Sequence, residues 1–584
     1  MILKNPYFLH LFSIFPLLLF LLFYTEGIGY TGLFIVLIVW IAFNSYRFFH
    51  NKKIITFPLV YLLLGSFYLY AFSYLGSTNT PQTYERLKDG QGVTLFDFGK
   101  KTKIDKLCYY VGIDKDVNFV LEYRYHNRWT PFYRYENSYP YSFRWRCIEK
   151  SYRTQKVLFR VTKNEMMLNE VRFFYKDKEL PYTTSKKFLN DEPQTKVDTT
   201  YKSGMFFDEI YFGRAAYEIS HHHYMYENTH PYLGKMLIIP GIKLFGMTPF
   251  GWRCINVLFA GFFIWLAYAF AVKMFKEESY GFMAAFLMTY SFMHFTQARI
   301  GLIDTFGVGF VFASYFYLYR FIVKQQLSFL WMSGILFGLA ASVKWSALFA
   351  VGGFVFIAFY LLVTKYPLEK RFRGYRLLLY GFLSYGVVAS IVYLLSFFEI
   401  FAQGRGLQGV IEYNINMYHY HAMLQATHPY SSSWWTWPLD IKPMGYYRQE
   451  HDGLISSINA FGNPAIFWTG IVAILYLGYA MLVRKSLEAS FLLFAFLGLY
   501  LPYAGISRLM FIYHFYYAVP FMVLAIVYMF RDMVARFVWA GKFVWVYLAL
   551  VAGLFLLFYP VLSGYEVEKS FVDYWLRWSS KWWF

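Results

Sequence analysis

Charged residues are scarce in this chain, and acidic residues are scarcer than basic ones. Charged residues make up 15% of the sequence, with 35 Asp and Glu against 55 Lys and Arg. So little charge excludes an ordinary soluble protein, which needs polar residues over its surface. Cysteine is also rare, and three cysteines exclude a metal cluster and a dense disulfide framework. Cys108 and Cys147 either pair with each other or remain free thiols.

Apolar residues are abundant instead. The sequence is 58% hydrophobic, and apolar runs near the membrane-spanning length of about 20 residues recur along it. This pattern predicts a polytopic α-helical membrane protein with about 13 transmembrane helices. The first run resembles a signal-peptide core, but no small-residue cleavage site follows, so we interpret it as a retained helix. The predicted spans are 8–24, 29–46, 57–77, 250–272, 280–298, 303–323, 329–345, 347–363, 376–397, 463–483, 488–504, 510–530 and 537–560.

The net charge of +20 comes largely from basic clusters in the links between apolar runs, such as TKYPLEKRFRGYR (364–376). Lys and Arg accumulate in cytoplasmic loops, and an N-terminus inside places every such cluster inside. The segment 78–249, the loop 398–462 and the C-terminal tail then lie outside. Nucleic-acid binding would need a basic face on a soluble module, so no nucleic-acid partner is expected.

Residues 80–200 interrupt the apolar pattern. Alternation of apolar and polar residues predicts strands at 93–99, 118–125, 156–162 and 168–175, joined by short, turn-rich links. This arrangement predicts a small external β-sandwich. The order of FDFGK (96–100), KIDKL (103–107) and LNEVRFF (168–174) resembles discoidin-type (F5/8C-like) modules, which implies a glycan or surface ligand. An inert spacer or assembly domain is the alternative.

Two adjacent carboxylates, Asp208 and Glu209, follow this segment in the stretch FFDEIYFG. Near apolar surface, such a pair perturbs its own pKa values and can supply a base. A solvated acidic pair in a loop is the alternative.

Several ionisable residues stand at or inside the apolar runs. Lys235 lies near the start of a predicted amphipathic helix that begins at THPYLGK, and Arg253 enters the next span. Arg299 and Asp304 lie at the outer end of a helix pair, and Lys344 lies within an apolar run. Ionisable groups at membrane depth are costly and indicate function. Cations that face one external cavity suit an anionic lipid phosphate.

Motifs that carry these residues follow one another from about residue 205 to 530. They are FDEIYFG (207–213), HPYLGKML (230–237), GMTPFGWR (246–253), ARIGLID (298–304), SVKW (342–345), YHAMLQATHPYSSSWWTWPL (420–439), NAFGNP (459–464) and YHFYYAVPF (513–521). This ordered set resembles the protein O-mannosyltransferases of the GT-C glycosyltransferase superfamily. The bacterial branch is the better match, since no large MIR-type domain interrupts the loop 398–462. The chain departs from the family at Tyr232, where the family has His-Pro-Pro, and in the inserted β-sandwich.

The resemblance implies a division of the chain into eight parts. They are two extra N-terminal transmembrane helices (1–56), the first helix of the GT-C core (57–79), the β-sandwich (80–200), an external catalytic loop with an amphipathic helix (201–249), transmembrane helices (250–397), a large external loop (398–462), transmembrane helices (463–560) and an external interfacial tail (561–584). The loop 398–462 shows no obvious regular structure, and loops of that length are usually functional.

The resemblance also implies an activity: inverting transfer of mannose from a polyprenyl-phosphate donor to Ser or Thr hydroxyls of exported proteins. The chain would lie in the cell (cytoplasmic) membrane, among its lipids, with the active site outside. Asp208 would be the general base and Glu209 an orienting residue.

Because the phosphate leaves already ionised, the reaction needs cations rather than an acid. The candidates are Arg253, Arg299 and Lys344, with Arg405 as a further one. The remaining candidates, for donor or acceptor binding, are His230, Lys235, Asp304, His419, His421, His428, Trp434 and Trp435.

We expect no cofactor and no metal centre, and we interpret the His run 221–223 as solvated. One alternative is a GT-C enzyme that acts on a lipid or cell-wall glycan. Another is a transporter of a lipid-linked sugar, with the β-domain as a docking module. A transporter is expected to show internal repeats and mid-span charges, whereas no clear repeat is found and most charges here map to the outer ends of spans.

Overall fold

The computed structural model describes residues 57–90, 93–136 and 142–584. The first two predicted spans, 8–24 and 29–46, lie outside the described residues and stay predictions.

The chain divides into two compact units. The β-unit comprises Leu75–Tyr226 and Ile238–Ile255. The helical unit comprises the described residues up to Tyr74, then Glu227–Leu237 and Asn256–Phe584. The predicted β-rich segment 80–200 falls within the β-unit.

Five antiparallel strands form the sheet of the β-unit. Their order is β1-β4-β2-β3, with β5 paired to β4. The strands are β1 (Glu85–Lys88), β2 (Val93–Tyr125), β3 (Arg128–Glu136), β4 (Arg144–Tyr175) and β5 (Lys178–Leu180).

The two long strands of this sheet bend and pair with each other twice. Arg160 of β4 lies opposite both Val93 and Val120 of β2, and repeated register shifts separate the two pairings. Such irregularities bend strands and increase their twist. All four predicted strands lie inside β2 and β4. A sandwich of the discoidin type stays a prediction.

Alternate residues of the bent strands face a common apolar core. Phe119 stacks on Phe159 with ring centroids 4.5 Å apart, and Phe96 packs against Phe173 at 5.3 Å. All four side chains are buried. Two helices complete the unit: Glu209–Ser220, here called the acid helix, and Ile239–Phe245.

The helical unit carries most of the apolar sequence. Among the described residues, seven helices are long and apolar enough to cross a membrane, which confirms a polytopic helical membrane protein. The total of about 13 spans stays a prediction. The seven are Pro249–Phe275, Asp304–Lys324, Trp345–Val363, Tyr375–Leu395, Pro464–Arg484, Leu487–Gly505 and Ala540–Ser563, with shorter apolar helices at Leu59–Phe72 and Leu327–Val343.

Two of the predicted spans are not continuous helices. The span 280–298 consists of helices Glu278–Thr289 and Phe292–Ala298, which separate where Ser291 is extended. The span 510–530 begins as a 3-10 turn, and its helix starts only at Val519, with a proline in the first turn. Proline is tolerated there because the first N–H groups of a helix have no partner within the helix.

The expectation of an irregular loop over 398–462 is wrong. Helix Gly406–Met423 lies there, followed by a hairpin of β6 (Met444–His451) and β7 (Leu454–Ala460). The last short strand, β8 (Val567–Glu568), pairs with β7. Both elements have sequence signals: the helix buries residues at intervals of three to four, and Asp-Gly forms the two-residue hairpin turn.

The predicted amphipathic helix after Thr229 is also wrong. The chain instead forms two short helices, Leu233–Met236 and Ile239–Phe245. Lys235, expected near the membrane surface, is completely buried.

A disulfide joins Cys108 and Cys147 across β2 and β4, which answers the question left open by the sequence. The two residues lie directly opposite each other in the ladder. The third cysteine, Cys254, is a buried free thiol.

We therefore expect the denatured chain to react with one equivalent of a maleimide reagent before reduction and with three after it, because the chain has three cysteines. Intact-mass measurement of the labelled protein gives the count. Three reactive thiols in the unreduced protein would contradict the pairing.

Candidate active site

The acid pair lies at the start of the acid helix. Asp208 immediately precedes the first helical residue, and its carbonyl oxygen accepts the N–H groups of Tyr211 and Phe212 at 3.0 and 3.1 Å. The residue before it, Phe207, has φ of 48°, a left-handed conformation that bulky residues rarely adopt. Backbone strain of this kind concentrates at functional sites.

Glu209 forms an ion pair with Arg253. Nε and Nη2 of Arg253 donate to the two carboxylate oxygens at 2.6 and 2.7 Å, and both side chains are buried. Nη1 donates to the carbonyl oxygens of Leu75 and Tyr201, and Nη2 also donates to that of Gly204. A guanidinium group has five N–H donors, and these bonds use all five.

The predicted phosphate contact of Arg253 is therefore not supported, since its donors already have acceptors inside the β-unit. Arg253 instead fixes Glu209. Asp208 differs from its neighbour in being half-buried. The two adjacent acids thus have different surroundings, and of the two side chains only that of Asp208 is partly exposed.

Arg299 holds helix ends in the helical unit. Its two Nη groups donate to the carbonyl oxygens of residues 70, 71, 73 and 74 and to that of Ser563. The first four carbonyls lie in the last turn of helix Phe57–Phe72 and just after it, where carbonyl groups have no helical partner. A cation there also complements the helix dipole. Arg299 therefore caps helices, and its predicted phosphate contact is not supported either.

Lys344 and Asp304 form an ion pair. Nζ of Lys344 lies 2.9 and 3.1 Å from the two carboxylate oxygens of Asp304, which begins helix Asp304–Lys324. Lys344 keeps partial exposure and lies 5.6 Å from the ring centroid of Tyr513. Its helix ends one residue earlier, at Val343, and Lys344 itself is extended. The lysine thus presents its charge at a break between two helical segments.

His421 lies in the same part of the helical unit and holds Arg508. Its Nε2 lies 2.8 Å from the carbonyl oxygen of Thr229, and its Nδ1 lies 3.0 Å from Nη1 of Arg508. Arginine only donates, so Nδ1 accepts and Nε2 carries the proton. Burial, together with His230 and Arg508, lowers the pKa of His421 to about 4. The imidazole is therefore neutral at physiological pH.

His230 and Lys235 belong to a buried network around Glu227. Nδ1 of His230 lies 3.1 Å from the carboxylate, and Nζ of Lys235 lies 2.5 Å from it. Burial opposes the charge on Glu227, but the positive charge of Lys235 and the hydrogen bond with His230 overcome it and hold its pKa well below the usual range. Burial lowers the pKa of His230 despite this partner, and the charge of Lys344 adds to the effect.

Lys235 has no donor to spare for a ligand. It also donates to the carbonyl oxygens of Glu227 and His230 and to the hydroxyl of Tyr413. Its predicted binding role is replaced by a structural one, because it ties the segment 227–235 to helix Gly406–Met423.

A cavity of about 810 Å³ adjoins Arg508. The segment 426–435 and the segment 504–510 line it, so it brings together His428, Trp434 and Trp435 with Arg508. Trp434 is half-buried against Tyr500, whereas Trp435 is exposed. We call this space the loop cavity.

His419 does not join this group. It is exposed on helix Gly406–Met423, with its ring beside Tyr418. The sequence analysis did not single out two residues of the helical unit that contact these histidines, Glu227 and Arg508. Glu227 had a signal, because it precedes His230 by three residues and so can share a turn with it. Arg508 had none, since it lies in a short irregular segment.

Removing the charge of Glu209 leaves Arg253 buried without its anion. We expect Glu209→Gln to destabilise the β-unit by about 3–5 kcal/mol, as for other broken buried pairs. Unfolding of the detergent-solubilised protein, followed by pulse proteolysis, measures the change.

A matched control is Glu369→Gln. Glu369 also lies 2.6 Å from an arginine, Arg371, but the two side chains are 51% and 57% exposed. Exposed pairs contribute about 0–1 kcal/mol. Equal effects of the two substitutions would contradict the structural role of Glu209.

Comparison with known proteins supports one family. Residues 229–393 match the sequence profile "Dolichyl-phosphate-mannose-protein mannosyltransferase", and residues 406–582 match "C-terminal four TMM region of protein-O-mannosyltransferase". A polyprenol-phosphate-mannose–protein mannosyltransferase of Mycobacterium tuberculosis is 26% identical over 461 residues, 66% of this chain and 87% of that protein. Its counterpart in Corynebacterium glutamicum is 25% identical over 434 residues, 61% of this chain and 81% of that protein.

A solved structure shares the fold. The S. cerevisiae protein O-mannosyltransferase complex bound to the sugar donor aligns with a TM-score of 0.57 at 13% identity, over 65% of this chain and 89% of that one. The profiles, the relatives and the shared fold agree with the ordered motifs of the sequence. The chain therefore belongs to the protein O-mannosyltransferase family and has a GT-C fold.

Proposed function

We propose that this protein transfers a mannosyl residue from a polyprenyl-phosphate donor to Ser or Thr hydroxyls of exported proteins, with inversion. The observation that carries the proposal is that the two acids have unequal surroundings. Glu209 forms a buried ion pair with Arg253, whereas Asp208 is half-buried at the start of a helix. The named activity of the relatives supplies the donor and the class of acceptor.

Asp208 is the general base in this proposal. A hydroxyl is a weak nucleophile at neutral pH, and a positioned carboxylate overcomes this by taking its proton in the transition state. The acceptor oxygen forms a bond to the anomeric carbon as the bond from that carbon to the phosphate oxygen breaks. The phosphate leaves with the electron pair. Attack opposite the leaving group inverts the anomeric centre.

Lys344 and Arg508 bind the donor phosphate. The donor is a phosphodiester and the product a phosphomonoester, so negative charge grows during the reaction, and preorganised cations stabilise it. Lys344 carries its charge near His230 and His421, whose pKa values it lowers. One Nη group of Arg508 donates to His421. The other N–H groups of the guanidinium are left for the donor phosphate. Asp304 orients Lys344.

The loop cavity takes the sugar or the acceptor. Trp435 offers an exposed ring face for stacking, and His428 lines the same space. Aromatic faces combined with a few polar groups are the usual composition of such sites.

In this proposal the active site lies on the extracytoplasmic side of the cytoplasmic membrane. The basic loops support an inside N-terminus. The Cys108–Cys147 disulfide supports an oxidising compartment for the β-unit. The same proposal keeps the boundaries of the eight parts expected from the sequence. These boundaries follow residues 56, 79, 200, 249, 397, 462 and 560.

Asp208→Asn keeps the size of the side chain and removes the base. We expect the transfer rate to fall by about 10²–10⁴-fold, while the donor still binds. Membranes supplied with radiolabelled polyprenyl-phosphate-mannose and a Thr peptide report transfer, and equilibrium filtration reports donor binding.

Asp89→Asn is the control, because Asp89 is an exposed acid elsewhere in the β-unit. Label in a lipid or glycan fraction instead of the peptide would show that the acceptor is a lipid or a glycan rather than a protein. Full transfer by Asp208→Asn would remove Asp208 as the base.

His421 supports Arg508 only while it is neutral. Since the pKa of His421 is lowered to about 4, its neutral form persists as pH falls through 6.5 and is lost only near pH 4. Donor affinity of the Asp208→Asn protein is therefore expected to stay constant from pH 7 to 5 and to fall below that range. Removing the imidazole by His421→Ala is expected to weaken donor binding about tenfold at pH 7, the equivalent of one hydrogen bond to a charged group.

His419→Ala is the matched control, since His419 is an exposed histidine on the same helix. Calorimetric titration gives the donor affinity of the Asp208→Asn, His421→Ala and His419→Ala proteins. A fall in affinity centred near pH 6.5, or equal effects of the two histidine substitutions, would contradict the role of His421.

A further inference from the structure

The β-unit contains a cleft of about 610 Å³ that the reaction described above does not use. Strands β1, β2 and β4 form one side of it. The second half of the acid helix and the chain that follows, up to Tyr226, form the other. We call this space the β-unit cleft.

A buried ion pair forms the floor of the cleft. Arg214 and Glu218 are 2% and 3% exposed, and Nε of Arg214 donates to Oε1 of Glu218 at 2.9 Å. Nη1 donates to the carbonyl oxygen of Asp114 at 3.0 Å, and Oε2 of Glu218 accepts the N–H of Tyr226 at 2.7 Å. Within the described part of the chain, Nη2 of Arg214 donates no hydrogen bond. A buried guanidinium at the floor of a cleft, with donors to spare, indicates a polar ligand.

Aromatic and apolar side chains form the walls. Tyr226 lies over Arg214, with the guanidinium carbon 4.2 Å from the ring centroid, and its ring is parallel to that of Tyr211. Tyr224 is 71% exposed at the edge. Met167 lines the opposite side, and methionine adapts its shape to varied partners.

The charges around the cleft have both signs. Arg86 stands at the rim with Asp116 and Glu165. A polyanion would meet these two carboxylates, and a polycation would meet the arginines, so a strongly charged ligand of either sign is disfavoured. Carboxylates and guanidinium groups together match the N–H and C=O groups of an extended main chain. The adaptable walls suit side chains that differ from one acceptor to another.

The cleft is connected to Asp208 through the acid helix. Positions 208, 211 and 218 fall on one side of a helix, because intervals of three and four residues return to the same face. The ten residues from Asp208 to Glu218 span about 15 Å at 1.5 Å per residue. An extended polypeptide covers that length in about five residues, at about 3.3 Å each.

We propose that the β-unit cleft binds an extended segment of the acceptor polypeptide, about five residues from the Ser or Thr that is modified. This inference rests on the proposed function. It adds a second contact to the acceptor, and it predicts that acceptor affinity depends on the length of chain beside the hydroxyl. Linking two contacts in one chain raises affinity without a change at either one.

The test compares peptides with one Thr and either two or eight flanking residues, extended on the N-terminal side or on the C-terminal side. For wild type, we expect KM to fall at least fivefold when one of the two sides is lengthened. Tyr224→Ala and Arg86→Glu are expected to abolish that gain. Tyr125→Ala is the matched control, since Tyr125 is another exposed tyrosine of the β-unit, outside the cleft.

A second readout does not need catalysis. A peptide with a photoreactive phenylalanine derivative five residues from the Thr is expected to cross-link to residues 222–226, as mapped by mass spectrometry. If wild type modifies no peptide, the proposed function fails, and cross-linking still decides whether the cleft binds polypeptide. A KM that does not depend on length, a gain that both variants keep, or cross-links elsewhere would overturn the inference. A gain seen only with peptides that already carry mannose would also overturn it, because the ligand would then be a glycan.

Discussion

The buried ion pair between Glu209 and Arg253 is the interaction that fixes the position of the acid pair. Both groups lie away from water, so each hydrogen-bonding atom needs a partner inside the protein. The carboxylate takes two N–H groups of the arginine, and carbonyl oxygens of residues 75, 201 and 204 take the rest. The start of the acid helix is thereby fixed. Asp208, the neighbour of Glu209, then has a defined position and partial exposure.

The same need for buried partners distinguishes two kinds of cation in the helical unit. Arg299 donates to the carbonyl groups at helix ends, and Lys235 donates to a carboxylate, a hydroxyl and two carbonyl groups. In both residues these contacts use N–H groups that a ligand would otherwise need. Lys344 and Arg508, by contrast, remain partly exposed beside their contacts. A cation near a membrane therefore indicates a ligand site only when its donors are not already used by the protein.

Part of this organisation follows directly from the sequence. Long apolar runs predict the membrane helices, and alternating residues predict the strands, because each pattern reflects one buried face. The helix over 406–423 and its following hairpin also had signals, in the spacing of Tyr413 and Met417 and in the Asp452-Gly453 turn. Aromatic and histidine composition obscured the helix signal, since such residues are usual in functional loops.

The unequal roles of the acid pair did not follow from the sequence. Asp208 and Glu209 are neighbours, but Arg253, which pairs with Glu209, lies 44 residues away along the chain. Arg253 in turn bonds to Leu75, 178 residues away. Local pattern cannot predict such contacts. The same holds for Arg508, which meets His421 across 87 residues. The position of the acid motif was predictable, whereas the distribution of hydrogen bonds within the site required the fold.

The role of Asp208 is tested most directly by an electron cryo-microscopy structure of the Asp208→Asn protein with a polyprenyl-phosphate-mannose donor and a Thr peptide. If Asp208 is the base, the side chain at position 208 lies within about 3.2 Å of the Thr hydroxyl, with Glu209 still paired to Arg253. A structure in which Glu209 leaves Arg253 and approaches the hydroxyl instead, with position 208 turned away, would contradict it.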